Sequence, residues 1–149
     1  MRRGKTGKTI NLKKGQLLNA EIMQLVEEKM IEKKKKNIWL TERGTMFGYN
    51  DLIVDFRNIQ QMKSFGFPVI FDATHSVQQP NQAIGTSGGK PEFIETLAKC
   101  AIVSGADGIF LETHPKPINA LSDGTNMLAL HEVKKLLEKL KQLKAINSL

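Results

Sequence analysis

Cysteine is almost missing: Cys100 is the single thiol among 149 residues. No disulfide can form within the chain, and a reduced, cytoplasmic setting fits that count better than an oxidising one. Long apolar runs are missing too. The longest covers only a few residues, so none could span a bilayer, and the basic N-terminal residues are not followed by the apolar stretch of a secretion signal. No low-complexity linker divides the chain, so one unit is expected. With 40% hydrophobic and 25% charged residues, disorder is excluded.

Negative charge is absent from the first fourteen residues, which hold Arg2, Arg3, Lys5, Lys8, Lys13 and Lys14. These are six of the 22 basic residues and none of the 15 acidic ones, leaving 16 against 15 in the remainder. The net charge of +7 is therefore a local feature and a weak argument for a nucleic-acid partner. Lys33 to Lys36 close an expected helix, where cations suit the negative end of its dipole. They read as a solvated helix end.

Four short β-branched or apolar runs predict strands at about Thr9 to Leu12, Ile38 to Leu40, Pro68 to Phe71 and Gly108 to Leu111. A segment of helical period follows each. In the first, Ile22, Val26 and Met30 form a stripe with Asn19 as N-cap. In the second, Asn50 and Asp51 precede Leu52, Phe56, Ile59 and Met62, and the stripe stops near Gly66. The third opens at Pro91, buries Ile94, Leu97, Ala98 and Ala101, and ends at Gly105. The fourth starts near Met127, with Leu130, Val133, Leu137 and Leu140 facing inward. Trp39, the phenylalanines and Cys100 read as packing residues, and His131 as a surface residue. Four β-α units in succession predict an α/β fold with parallel strands.

Parallel α/β folds carry their chemistry at the C-terminal ends of strands. Here those ends supply Lys13-Lys14-Gly15-Gln16, Thr41-Glu42-Arg43-Gly44, Asp72-Ala73-Thr74-His75 and Glu112-Thr113-His114-Pro115, with Asp123 in a further loop. Lys13 and Arg43 suit an anionic, phosphorylated substrate; alternatively, Arg43 pairs with Glu42 or Asp72. His75, Glu112 and Asp123 are suitable ligands for a divalent ion, although spacings of 37 and 11 residues form no local motif. His75 could equally be an acid/base group or a structural residue. The stretch Gly85 to Pro91 could hold an anion at the start of the third helix, or be a turn. Ser122 to Asn126 reads as a tight turn.

Taken in order, Ile10-Asn11-Leu12-Lys13-Lys14-Gly15-Gln16, Thr41-Glu42-Arg43-Gly44 with Phe47-Gly48-Tyr49-Asn50, Pro68 through Gln78, Ser87-Gly88-Gly89, Phe110 through Pro115 and Ser122-Asp123-Gly124 resemble the 3-deoxy-D-manno-octulosonate 8-phosphate (KDO 8-phosphate) synthases. The resemblance implies a TIM-type (β/α)8 barrel in the cytoplasm that condenses phosphoenolpyruvate with arabinose 5-phosphate, releasing phosphate, on the route to lipopolysaccharide. Carried over by motif, Lys13 and Arg43 would bind phosphoenolpyruvate. Gln78 and Ser87 would lie near the arabinose 5-phosphate. His75 and Asp123 would be catalytic and, with Glu112, would hold a divalent metal (Zn, Fe or Mn), the metal-independent form staying open. His114 has no assigned role.

The chain starts at the strand matching the family's fifth. The expectation is therefore the C-terminal half of the barrel over residues 7–149, preceded by a basic leader or remnant at 1–6. A truncated chain with little activity alone follows. Its partners would be other copies of the chain, the family being tetrameric, or a missing N-terminal half barrel, with neither nucleic acid nor membrane. The alternative is a non-catalytic half barrel that pairs with another chain.

Overall fold

The computed structural model describes residues 8–31, 37–48, 51–80 and 88–147, with residues 26–31 as backbone only. The chain runs β1 (Ile10–Lys13), α1 (Ala20–Ile31), β2 (Ile38–Glu42), β3 (Thr45–Gly48), β4 (Asp51–Ile53), α2 (Arg57–Ser64), β5 (Val69–Asp72), β6 (Gln78–Gln79), β7 (Gly88–Gly89), α3 (Ile94–Val103), β8 (Gly108–Phe110), β9 (Thr113–His114), β10 (Leu128–Ala129) and α4 (Leu130–Ile146). Four strands form one parallel sheet in the order β1-β2-β5-β8. Each β-α unit thus lays its strand beside the previous one without skipping a place, as in the wall of a (β/α)8 barrel and unlike a doubly wound sheet. The α/β, parallel β-α reading is borne out.

Register decides what each face carries. Leu12, Ile38, Leu40, Val69 and Phe71 align on one face and pack with Ala20 and Met23 of α1, Ile59 and Met62 of α2, Ile94, Ala98, Ala101 and Ile102 of α3, and Leu136 and Leu140 of α4. Because strand side chains alternate, the opposite face carries Asn11, Lys13, Trp39, Thr41, Ile70, Asp72, Gly108 and Phe110. Near the N-terminal ends of the strands this second face opens into a hollow of about 380 Å³ lined by Asn11, Trp39, Pro68, Ile70, Ile109 and Phe110.

Several local expectations change. Trp39 is 44% exposed because alternation puts it on the face away from the helices, and Phe47 and Phe93 are exposed as well. Cys100 is exposed: the buried positions of α3 are Ile94, Ala98, Ala101 and Ile102, and Cys100 falls off that stripe. The helix expected from Asp51 begins only at Arg57, since β3 and β4 first pair as an antiparallel hairpin, Thr45 opposite Ile53. Gly44 turns the chain from β2 into β3 at φ +85, a left-handed conformation suited to glycine. In α4 the buried residues are Leu136 and Leu140, while Leu130 and Leu137 are exposed. In α1 Ile22 is exposed and Met23 buried; the side chains of Val26 and Met30, like Lys33 to Lys36, lie outside the described residues. The Asn19 cap is present, its Oδ1 accepting from the Ile22 amide at 3.1 Å, and Gly66 and Gly105 follow α2 and α3 at φ +87 and +100. No helix among the described residues is long and apolar enough to cross a membrane.

Helices α3 and α4 are joined by a charge triad. Glu95 accepts from Lys99 at 2.5 Å and Lys139 at 2.6 Å, and hydrogen bonds from these two lysines, Lys139 first, hold its carboxyl at about 2. A carboxyl depressed in the folded state stabilises above its unfolded pKa of about 4.3 and loses that contribution as pH falls toward its folded value. Thermal unfolding of the wild type and Glu95→Gln should therefore differ at pH 6 and converge between pH 4 and pH 2. A difference unchanged down to pH 2 would show that the triad adds nothing electrostatic.

Candidate functional site

The C-terminal ends of the four parallel strands deliver two buried carboxylates, one to each face of the sheet. Glu42 ends β2 on the helical side, fully buried. It accepts from the Gly44 amide at 2.7 Å and from Asn58 Nδ2 at 3.1 Å, and Lys14 Nζ lies 3.5 Å from its Oε1. Lys14 is itself buried, donating to Thr45 Oγ1 at 2.8 Å and to the carbonyls of Leu18 and Gly44. Burial pushes Lys14 down and Glu42 up, each countered by the charge of the other. Lys14 is therefore part of the packing and is not available to a ligand.

Asp72 ends β5 on the other face, also fully buried. Its Oδ1 accepts from the His75 amide at 2.9 Å, while Oδ2 meets both Lys13 Nζ at 2.6 Å and His75 Nδ1 at 2.8 Å. Burial pushes the Asp72 carboxyl up, but the hydrogen bonds from His75 and Lys13 outweigh it and the net direction is down. Lys13 also sits 3.9 Å over the Phe110 ring, a favourable cation-π position.

His75 opens a 3-10 turn, His75–Val77. Its Nε2 is 3.6 Å from Glu112 Oε1. One ligand atom each from His75, Glu112 and Asp123 lies within 4.8 Å of the others, and all three residues are half-buried. The fold brings together three side chains far apart in sequence, and one imidazole with two carboxylates could hold a divalent transition ion. Glu112 is set by its amide, which donates to the buried Thr74 Oγ1 at 2.8 Å. Asp123 is the single non-glycine residue at positive φ among the described residues, at 52°. Aspartate tolerates this conformation better than most side chains, and the turn closes through the Asn126 amide to the Asp123 carbonyl at 2.8 Å.

Arg43 follows Glu42 and turns its guanidinium toward Gln78, donating to Oε1 at 3.1 Å. It makes no ion pair among the described residues; Asp72 instead takes Lys13. Burial lowers the Arg43 pKa, while the fields of Asp72, Glu42 and Asp123 oppose that shift. Ser87 lies outside the described residues, as do Gly85 and Thr86. Gly88 and Gly89 form β7 against β6, and Lys90 pairs with Asp51 at 2.5 Å, so the described part of that segment is a hairpin. His114 Nδ1 faces the backbone of Lys116, 2.7 Å from its carbonyl.

Three contributors were not singled out from the sequence: Asp72 as the holder of His75, Thr74 as the holder of Glu112, and Asn126. The Asn126 side-chain amide is fully buried and has no hydrogen-bond partner among the described residues, packed against Gly89. The consecutive lysines were the available signal for the first, since alternation sends one of any two neighbours to each face.

The chain matches the DAHP synthetase I family over residues 2–148. It is 53% identical over 142 residues to the 2-dehydro-3-deoxyphosphooctonate aldolase of Agrobacterium fabrum, covering 95% of this chain and 50% of that protein. For the proteins of the same name from Trichlorobacter lovleyi and Rhizobium meliloti the identities are 50% over 142 residues and 52% over 136, covering 95% and 91% of this chain and 52% and 49% of theirs. That name is a synonym of KDO 8-phosphate synthase. The chain spans about half the length of the curated relatives it matches.

Removing one partner from the Lys14–Glu42 pair leaves a buried charge alone, so Glu42→Ala should cost about 3–5 kcal/mol in urea unfolding; a loss below 1 kcal/mol would place the pair among weak surface bridges. A Cβ added at Gly89 would collide with the Asn126 amide and come within 2.6 Å of the Thr125 carbonyl. Gly89→Ala should shift the Asp123 turn and weaken Co²⁺ uptake about tenfold, read by titration of the cobalt absorption band, whereas unchanged affinity would mean that the hairpin does not support the turn.

Proposed function

This chain belongs to the DAHP synthetase I family, and from that premise we propose that its strand ends form the phosphoenolpyruvate and metal part of a KDO 8-phosphate synthase site, on the route to a lipopolysaccharide precursor in the cytoplasm. The observation that carries the reading is the convergence of His75, Glu112 and Asp123 within 4.8 Å, beside the cations Lys13 and Arg43.

Arg43 offers a fork with no ion-pair partner among the described residues, suited to bidentate contact with a phosphate or carboxylate. Lys13 supplies a second positive charge on a half-exposed side chain. Together they bind the two anionic groups of phosphoenolpyruvate. Gln78, which already orients Arg43, and Ser87 belong to the arabinose 5-phosphate side. His75 presents Nε2, and Glu112 and Asp123 their carboxylates, as donors suited to Zn, Fe or Mn. When bound, such an ion would polarise the aldehyde or orient water. His75 and Asp123 are the residues closest to the chemistry, and a metal-independent form would use the same pair to position the reacting groups.

A second reading is a half barrel, residues 7–149, that completes its site by pairing with another chain or with copies of itself. The hollow around Trp39, Ile70 and Phe110 favours it, together with strands β1 and β8, which each have a single sheet neighbour among the described residues. Both readings expect little turnover by the chain alone.

Calorimetric titration with phosphoenolpyruvate should show binding that Arg43→Met weakens about 10- to 100-fold, as expected for a lost charge-assisted pair. Phosphate release from phosphoenolpyruvate and arabinose 5-phosphate with added Zn²⁺ or Mn²⁺ should stay near background. Absence of phosphoenolpyruvate binding would overturn the site assignment, and robust turnover would overturn the dependence on a further chain.

A further inference from the structure

Asp72 is fully buried at the end of its strand, and among the described residues it meets the His75, Glu112 and Asp123 cluster through His75. Its side chain makes three contacts to one histidine, two at Nδ1 and one at the backbone amide, and one to Lys13. A carboxylate is an acceptor only. With Asp72 ionised, the proton between it and His75 belongs to Nδ1, and the lone pair of the neutral ring lies on Nε2, the atom that faces Glu112.

We propose that Asp72 is a positioning residue of this site: it fixes the tautomer and angle of His75 so that Nε2 is presented to a divalent ion shared with Glu112 and Asp123. The inference rests on the metal reading given above. Geometry carries it in three ways. The His75 ring is held at Nδ1 by both carboxylate oxygens, at 2.8 and 3.1 Å. Its backbone is held by the same carboxylate at 2.9 Å, so turn and ring cannot move separately. Asp72 is in turn anchored by β5, paired on both sides with β2 and β8. Lys13 on the shared Oδ2 supplies the positive charge that a buried carboxylate requires, so one oxygen sets both a cation for the anionic substrate and a ligand for the metal. Outer partners of this kind orient metal-bound histidines and are worth 10- to 100-fold in affinity.

The test reads the ring directly. ¹⁵N-labelled chain at alkaline pH without metal, with the His75 signals identified by comparison with His75→Gln, should show a protonated Nδ1 and an unprotonated Nε2. Asp72→Asn introduces an amide that can donate to Nδ1 as well as accept, so the two tautomers should mix. Co²⁺ affinity should then fall at least tenfold while the circular dichroism spectrum stays the same. An Nε2–H ring in the wild type would overturn the proposal. So would an Asp72→Asn chain with unchanged tautomer and unchanged Co²⁺ affinity, the pattern of a residue that only neutralises Lys13. If the variant does not fold, the wild-type ring decides alone. If the wild type takes up no Co²⁺ yet holds the Nδ1–H form, the metal reading fails and the positioning role stands.

Discussion

A carboxylate withdrawn from water must be met by donors or it is lost to protonation, and this sheet withdraws two, at the ends of adjacent strands. Glu42 faces the helices and Asp72 the opposite side. Each ion would cost several kcal/mol without partners, and the local structure follows from supplying them. For Glu42 these are Lys14, the Gly44 amide and Asn58, which fix the start of α2 and the turn into the β3–β4 hairpin. For Asp72 they are Lys13 and the backbone amide and ring Nδ1 of His75, which fix the turn after β5. Arg43 is set between these two arrangements, and its direction is a consequence of both.

The remainder of the site is held by shorter links. The Thr74 hydroxyl ties Glu112 to the end of β5, and the left-handed Asp123 is pinned by its own turn and by the hairpin through Gly89 and Asn126. None of the three candidate metal ligands depends on a surface loop alone. The sheet delivers His75 and Glu112 at its C-terminal edge, and β10 and α4 follow directly on the Asp123 turn. A cluster built in this way reflects the rigidity of its scaffold.

The strands, the capping of α1 by Asn19 and the ends of α2 and α3 were legible from local pattern, because each rests on period, cap chemistry or a left-handed glycine. The strand-end residues were legible as a set, since parallel β-α units bring such ends together. What pattern could not decide was the face. Trp39 and Cys100 are apolar enough to be assigned to a core, yet the first alternates outward and the second lies beside the stripe formed by Ile94, Ala98 and Ala101. Lys13 and Lys14 are alike in local pattern, yet Lys14 is buried against Glu42, because the strand that exposes Lys13 necessarily turns its neighbour inward. The β3–β4 hairpin was missed where Leu52 and Phe56 also fitted a helical period, and strand pairing with Thr45 and Met46 prevailed.

The lysine doublet has one more consequence, for β1, whose one sheet neighbour among the described residues is β2. Edge strands pair on one side only and are the places where register slips most readily. A shift of one residue would bring Leu12 or Gly15 to a position now held by a lysine and leave either Asp72 or Glu42 without its cation. With two unlike carboxylates on opposite faces, each served by one of two adjacent lysines, misaligned pairing of β1 is penalised whichever way it slides. The charges that furnish the site therefore also proofread the alignment of the strand that carries them.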